Sequence, residues 1–237
     1  MHALLLAAGR GERLRPLTDT TAKPLLMAAG RRLIEWQIDA LVRAGITDLV
    51  VNTAHLATQI EDTLGEGTRY GARIRYSREG TQASDALETL GGIVKALPLL
   101  GAGPFVVVSS DIVTDFDYRQ LLPAGQELAV GPCAAHLVLV PNPAYHPQGD
   151  MGLAGVPGAQ LATHDAPGAG GGAPRYTYAN IGVLHPRLFA GLQPVRARLF
   201  PWLYETVRAG RVSAQLHEGR WWNVGTAQEL ASVDAWR

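Results

Sequence analysis

The 237-residue chain has a single cysteine, Cys133, so it closes no internal disulfide. That excludes the small disulfide-held secreted scaffolds and points to a reducing compartment. No charge of either sign is in excess: 21 basic residues face 21 acidic ones. A neutral surface has no general attraction for nucleic acid or an anionic membrane, so any phosphate binding must be local. No apolar run approaches the roughly 20 residues a membrane-crossing helix requires. The opening MHALLLAAGRG turns polar too soon for a secretory signal. A cytoplasmic protein acting on small molecules is expected, with no nucleic-acid or membrane partner. The sequence carries no signature of oligomeric state. Lysine is also scarce, and only Lys23 and Lys95 are present. Arginine is the default base of this chain, so a lysine close behind a glycine-containing loop stands out.

What is present alternates short apolar runs with amphipathic stretches. HALLLA (2–7) reads as a buried strand. In 31–45, Ile34, Ile38, Leu41 and Val42 share a helical face that closes at Gly45. Strands are expected at 47–53, 72–77 and 104–111, with helices at 56–65 and 87–100. This order implies parallel pairing through right-handed crossovers. Beyond about residue 115, strand-like runs are separated by glycine- and proline-rich turns. HDAPGAGGGAPR (164–175) reads as a hairpin tip or loop. A helix is expected over 194–210, broken or restarted by Pro201, then a strand at 211–217. A last helix at 226–236 is capped by Thr226 with Glu229 at N3. The fold class expected is α/β: a Rossmann-like mixed, mainly parallel sheet flanked by helices, with a smaller antiparallel part. One domain over 1–237 is expected, with a nucleotide-binding half at 1–115 and a second half at 116–237.

The stretch after the first strand is Ala8-Gly9-Arg10-Gly11-Glu12-Arg13. Residues without bulky side chains let backbone N–H groups approach phosphate oxygens, and arginine adds charge-assisted contacts. Gly-x-Gly alone is a weak signal. Leu14 stands where a dinucleotide fingerprint has its third glycine, and the second strand ends in Asn52 rather than an acid. The Gly-Lys-Ser/Thr ending of a P-loop is missing too. Asp111 closes the strongest strand signal and suits a hard cation, but it is equally suited to a turn or helix cap.

The wider pattern is more specific. LAAGRGERLRPLT followed by KPLL resembles the signature of sugar-1-phosphate nucleotidyltransferases, and the likeness continues through DIVTD, NIGV and WWNVGT. The resemblance implies attack by a sugar-1-phosphate oxygen on the α-phosphorus of a nucleoside triphosphate, releasing pyrophosphate. It implies a Mg²⁺ cofactor held by Asp111 and Asn223, the latter standing where the family usually has an aspartate. Catalytic roles fall to Arg13, Lys23 and Asp111. Backbone contacts to phosphate fall to Ala8, Gly9 and Gly11, and Arg15 is expected at the surface.

For the base, the family's contact position falls at Glu79, with the backbone N–H of Glu88 as a partner. Glu79 would accept from uracil N3–H, with thymine close behind and guanine also compatible; the alternative is a plain surface-loop carboxylate. For the sugar, NPAYHPQGDM (142–151) resembles the branch that uridylylates N-acetylmuramate α-1-phosphate in cell-wall recycling. Asp150 and Asn180 are then the sugar-binding candidates, and His146 is expected to be a packing or loop residue. Two departures stand out. Ser109-Ser110-Asp111 replaces Asn-Gly-Asp, and Leu90 sits where a small residue is usual, either crowding the base or turning into the core. Mannose-, glucose- or choline-phosphate substrates, or a non-catalytic nucleotide-sugar-binding regulator, remain the alternatives.

Overall fold

The computed structural model describes residues 1–164 and 174–235. Along the chain run β1 (His2–Leu6), α1 (Leu17–Thr20), β2 (Met27–Ala28), β3 (Arg31–Arg32), α2 (Leu33–Arg43), β4 (Asp48–Thr53) and α3 (Ala57–Leu64). They continue with β5 (Arg73–Arg78), α4 (Glu88–Leu100), β6 (Phe105–Ser109), β7 (Ile112–Thr114), α5 (Leu121–Val130) and β8 (Ala135–Val140). The last are β9 (Met151–Ala154), β10 (Leu161–Thr163), β11 (Arg175–Leu184), α6 (Trp202–Arg208), β12 (Val212–Leu216), β13 (Trp221–Asn223) and α7 (Ala227–Asp234).

Nine strands form one sheet in the order β5-β4-β1-β6-β11-β8-β12-β10-β9. The first four are parallel, as the alternation of strands and helices requires. β11 then runs antiparallel between β6 and β8, and β12 returns parallel to β8. The central strands are buried on both faces because their sequences are continuous apolar runs. Leu5, Val106 and Val108 pack under α2 and α3, while Leu4, Phe105 and Val107 pack against α4 and the 199–207 segment. β5 is an edge strand, with Arg73, Arg75 and Arg78 turned outward, which discourages pairing with another chain. Leu14, Leu26, Ala28, Leu33, Val113, Val224 and Val233 form a third cluster beneath the glycine-containing loop.

The helix expected over 194–210 begins only at Trp202, with Pro201 as its N-cap. The residues before it make a strap instead. Ala197 O accepts from Leu90 N at 3.0 Å, and Ala197 N donates to Leu87 O at 2.9 Å. Their backbone groups are spent on the start of α4 and cannot serve a helix of their own. Leu90, 6% exposed, turns into the core, the second of the two outcomes its position allowed. Thr226 Oγ1 caps α7 by accepting from Glu229 N at 3.2 Å. The Glu229 carboxylate reaches past the cap to Gly225 N at 2.7 Å. Most of the glycine-rich run at 164–175 lies outside the described residues, as does Trp236.

Candidate active site

β1, β4 and β6 end at a cavity of about 260 Å³, where ligands of parallel sheets collect. The loop leaving β1 is held from behind. Asn52 Oδ1 accepts from Ala7 N at 2.6 Å. Gly11 takes a left-handed φ of 71°, and its carbonyl accepts from Thr18 Oγ1 and Leu14 N, each at 2.9 Å. Leu14 anchors the turn in the third cluster. Gly9 has open space where a Cβ would stand, so an oxyanion can come close to the backbone. Ala8, Gly9, Gly11, Lys23, Glu79, Glu88 and Asp111 all line this cavity.

Lys23 Nζ donates to Asp111 Oδ2, and the two side chains are only 13% and 20% exposed. The stem of Lys23 passes over Gly11, where a Cβ would come within 2.9 Å of Lys23 Cδ. Arg13 uses a glycine in the same way: a Cβ at Gly225 would lie 2.5 Å from its Nη2. Arg13 is exposed and is not among the residues lining the cavity. Arg15 Nε bonds Asp19 Oδ1 at 2.7 Å and stays at the surface, as expected. Arg10 reaches the same carboxylate only at 3.8 Å.

Glu79 is buried rather than a surface carboxylate. Its Oε1 accepts from Asn52 Nδ2 and its Oε2 from Leu87 N, both at 2.6 Å. Burial pushes its carboxyl above the usual range, against these hydrogen bonds. Asn52 therefore joins the glycine-containing loop after β1 to the loop that carries Glu79. In sequence it registered only as the missing acid of a dinucleotide fold, though an amide closing so apolar a strand was a usable signal. Glu88 starts α4 with a left-handed φ of 61°.

A second cavity of about 280 Å³ is lined by Tyr145, His146, Asp150, Thr177, Tyr178, Asn180, Phe200, Trp221 and Asn223. Asp150 Oδ2 accepts from Tyr178 N at 2.8 Å, and Oδ1 lies 3.1 Å from His146 Nε2. Asn180 sits in an irregularity of β11 with φ 56°, where pairing with β8 shifts register between Tyr178 and Gly182. Such bulges re-aim side chains. His146 is a loop histidine as expected, but it lines this cavity and is bonded to Asp150. No local sequence signal points to that partnership or to Tyr145. Burial raises the Tyr145 phenol, as do the charges of Glu229 and Asp111, while Arg13 lowers it. Of these charges, Asp111 is the one that lines the first cavity.

The β13–β7 ladder joins a residue lining the first cavity, Asp111, to one lining the second, Asn223. Asn223 lies opposite Ile112, the residue after Asp111, and Val224 N donates to Asp111 O at 2.9 Å. Asp111 and Asn223 are thus neighbours along the backbone, and a carboxylate and an amide oxygen are both hard donors. Among the described residues no cluster of three His, Cys, Asp or Glu could hold a metal. Mg²⁺ suits such a pair, because it takes few protein ligands and fills its sphere with phosphate oxygens and water.

The sequence profile of the family described as Nucleotidyl transferase matches residues 2–145. The chain is 44% identical to an N-acetylmuramate alpha-1-phosphate uridylyltransferase of Neisseria meningitidis serogroup B, over 99% of this chain and 97% of that protein. It is 31% identical to a protein of the same name from Caulobacter vibrioides, over 98% and 95%. A mannose-1-phosphate guanyltransferase of Hypocrea jecorina is 38% identical, over 52% of this chain and 33% of that one. A Bacillus anthracis crystal structure, assigned as a glucose-1-phosphate thymidylyltransferase with bound sucrose, superposes with a TM-score of 0.80. It covers 100% of this chain and 94% of that one at 19% identity, so it speaks to the fold alone.

Proposed function

The chain belongs to the nucleotidyl transferase family, and from that premise we propose that it condenses UTP with N-acetylmuramate α-1-phosphate, releasing pyrophosphate. The observation that carries this reading is the Lys23–Asp111 pair in the wall of the first cavity, with Asp111 joined through the β13–β7 backbone to Asn223 in the wall of the second. The first cavity is lined by Gly9, Gly11 and Lys23 together with the carboxylates Glu79, Glu88 and Asp111, so backbone N–H groups, Lys23 and a cation on Asp111 would have to offset a triphosphate's charge. The second is aromatic and rich in hydrogen-bonding groups, as a sugar requires.

On this reading residues 1–115 hold the nucleotide and 116–237 the sugar phosphate, within one domain. A phosphate oxygen of the sugar attacks the α-phosphorus, and the bond from that phosphorus to the bridging oxygen breaks as pyrophosphate leaves. The chain's task is positioning and charge stabilisation. Backbone groups at Ala8, Gly9 and Gly11 cradle the triphosphate. Lys23 reaches the reacting phosphates, and Arg13 meets the charge that builds on pyrophosphate. Asp111 and Asn223 would hold Mg²⁺, which when bound supplies Lewis-acid neutralisation of the triphosphate. Asn223 brings an oxygen without charge, so weaker cation binding than a paired-aspartate site is expected.

Each Glu79 oxygen already accepts one hydrogen bond and retains a lone pair that uracil N3–H can use. The Glu88 N–H is the partner for a uracil carbonyl, and Asp150 and Asn180 serve the sugar. No helix among the described residues is long and apolar enough to cross a membrane. The cytoplasm, where nucleoside triphosphates are supplied, is the compartment we assign, and peptidoglycan recycling the process.

The test is pyrophosphate release with Mg²⁺ and each pairing of UTP, dTTP or GTP with the 1-phosphates of N-acetylmuramate, glucose and mannose. UTP with the muramate phosphate is expected to give the highest kcat/KM. Faster turnover on another pairing would reassign the substrate. Tight UDP-sugar binding with no turnover on any pairing would make the protein a binding regulator.

A further inference from the structure

We propose that His146, held in place by Asp150, reads a carboxylate on the sugar, so that the second cavity selects an acidic hexosamine 1-phosphate over neutral ones. This rests on the uridylyl-transfer reading above. Of the nine residues lining the second cavity, His146 alone can become a cation; the others are Tyr, Asp, Thr, Asn, Phe and Trp. The imidazole is positioned in steps. Tyr178 N of β11 fixes Asp150 Oδ2 at 2.8 Å, and Asp150 Oδ1 fixes His146 Nε2 at 3.1 Å. A tight turn brings the two together, with His146 N donating to Pro143 O at 2.9 Å and Gly149 N to His146 O at 3.3 Å. The ring is 39% exposed, and Asp150 is the hydrogen-bond partner of its side chain. Its Nδ1 therefore remains for a ligand.

The chemistry follows from what an acidic sugar would meet. A substrate carboxylate entering beside Asp150 is repelled by it, and the repulsion strengthens as water leaves the cavity. An imidazolium between the two reverses the sign, making one charge-assisted hydrogen bond from Nε2 to Asp150 and another from Nδ1 to the substrate. A sugar without the carboxylate gains nothing from that cation. Other groups around His146 do not compete for the role. Burial holds the phenols of Tyr145 and Tyr178 above their ordinary range, so they stay neutral. The Arg175 guanidinium is spent on the main-chain carbonyls of Gln148 and Asp150.

The experiment compares three sugars with UTP: N-acetylmuramate α-1-phosphate, its methyl ester at the lactyl carboxylate, and N-acetylglucosamine α-1-phosphate. The wild type is expected to prefer the free acid. His146→Gln should lose about 10-fold or more in kcat/KM on the free acid, the scale of one charge-assisted hydrogen bond, and under about 3-fold on the two neutral sugars. Asp150→Asn, which keeps an acceptor for Tyr178 N but removes the charge behind the ring, should erode the same preference. Equal losses on all three sugars, or unchanged selectivity in His146→Gln, would overturn the inference while leaving uridylyl transfer standing. Absence of wild-type turnover on all three would overturn uridylyl transfer and this inference together.

Discussion

Two cations proposed to meet phosphate, Lys23 and Arg13, run over glycines, and their surroundings set what each can do. Lys23 is largely enclosed and paired with Asp111, so its charge is screened little by solvent. Arg13 is more open, backed by Gly225. Either contact, if made mainly in the transition state, is worth about 10²-fold in turnover or more. Lys23→Ala and Arg13→Ala are accordingly expected to lower kcat by at least about that factor, with circular dichroism unchanged. A folded Arg13→Ala enzyme with near-normal kcat would remove Arg13 from the mechanism. At this scale the sequence was most informative where chemistry demands a residue type: Gly11, Lys23 and Asp111 line one cavity, as their motif implies. His146 was illegible because its role depends on Asp150, and that pairing exists only once 143–149 folds into its turn.

Helix α2 shows how an element aims a site from behind. Gln37 is 1% exposed, on the face its apolar pattern turns inward. Its Nε2 donates to Ile112 O at 2.5 Å, and its Oε1 accepts from the Tyr118 hydroxyl. Ile112 directly follows Asp111, so α2 fixes the strand behind the carboxylate proposed to hold Mg²⁺. Gln37→Leu would fill the space but leave a buried carbonyl and a buried hydroxyl without partners, at about 1–3 kcal/mol each. Urea denaturation should show a loss of that order. The surviving folded enzyme should need more Mg²⁺ for half-maximal rate while its KM for UTP changes little. An unchanged Mg²⁺ requirement would confine Gln37 to stability. Elements were the best-read level, since α2, α3, α4 and β1, β4, β6 follow from periodicity. The 194–201 strap was misread because its hydrogen bonds go to α4, a partner no local window contains.

Across the whole molecule, the sheet's second half depends on a strand order that local sequence does not encode: β11 enters between β6 and β8 from beyond the glycine-rich run. The β8–β12 junction within it carries a buried titratable group, His136. Its Nδ1 lies 3.0 Å from Ser213 Oγ and its Nε2 2.9 Å from Gln215 Oε1. Burial holds its pKa below the ordinary 6.5, with only partial compensation from Gln215 and Glu127. The folded state therefore stays neutral where the unfolded chain takes up a proton. Below pH 6.5 and down to the folded value, unfolding binds a proton, so stability rises with pH there and falls on acidification. The slope from one such group is at most about 1.4 kcal/mol per pH unit. Glu79 acts in the opposite sense, because its raised pKa makes the fold retain a proton above pH 4.5 that the unfolded chain has released. The lowered carboxyls of Glu35 and Asp48 act only at more acid pH. A single melting profile mixes these contributions, whereas a difference between two proteins does not. His136→Gln, compared with the wild type by thermal melting between pH 5 and 7, should lose less Tm on acidification, even if it starts lower at pH 7. Parallel profiles would show that His136 titrates alike in the folded and unfolded chain, and would remove it as the source of acid sensitivity in the sheet.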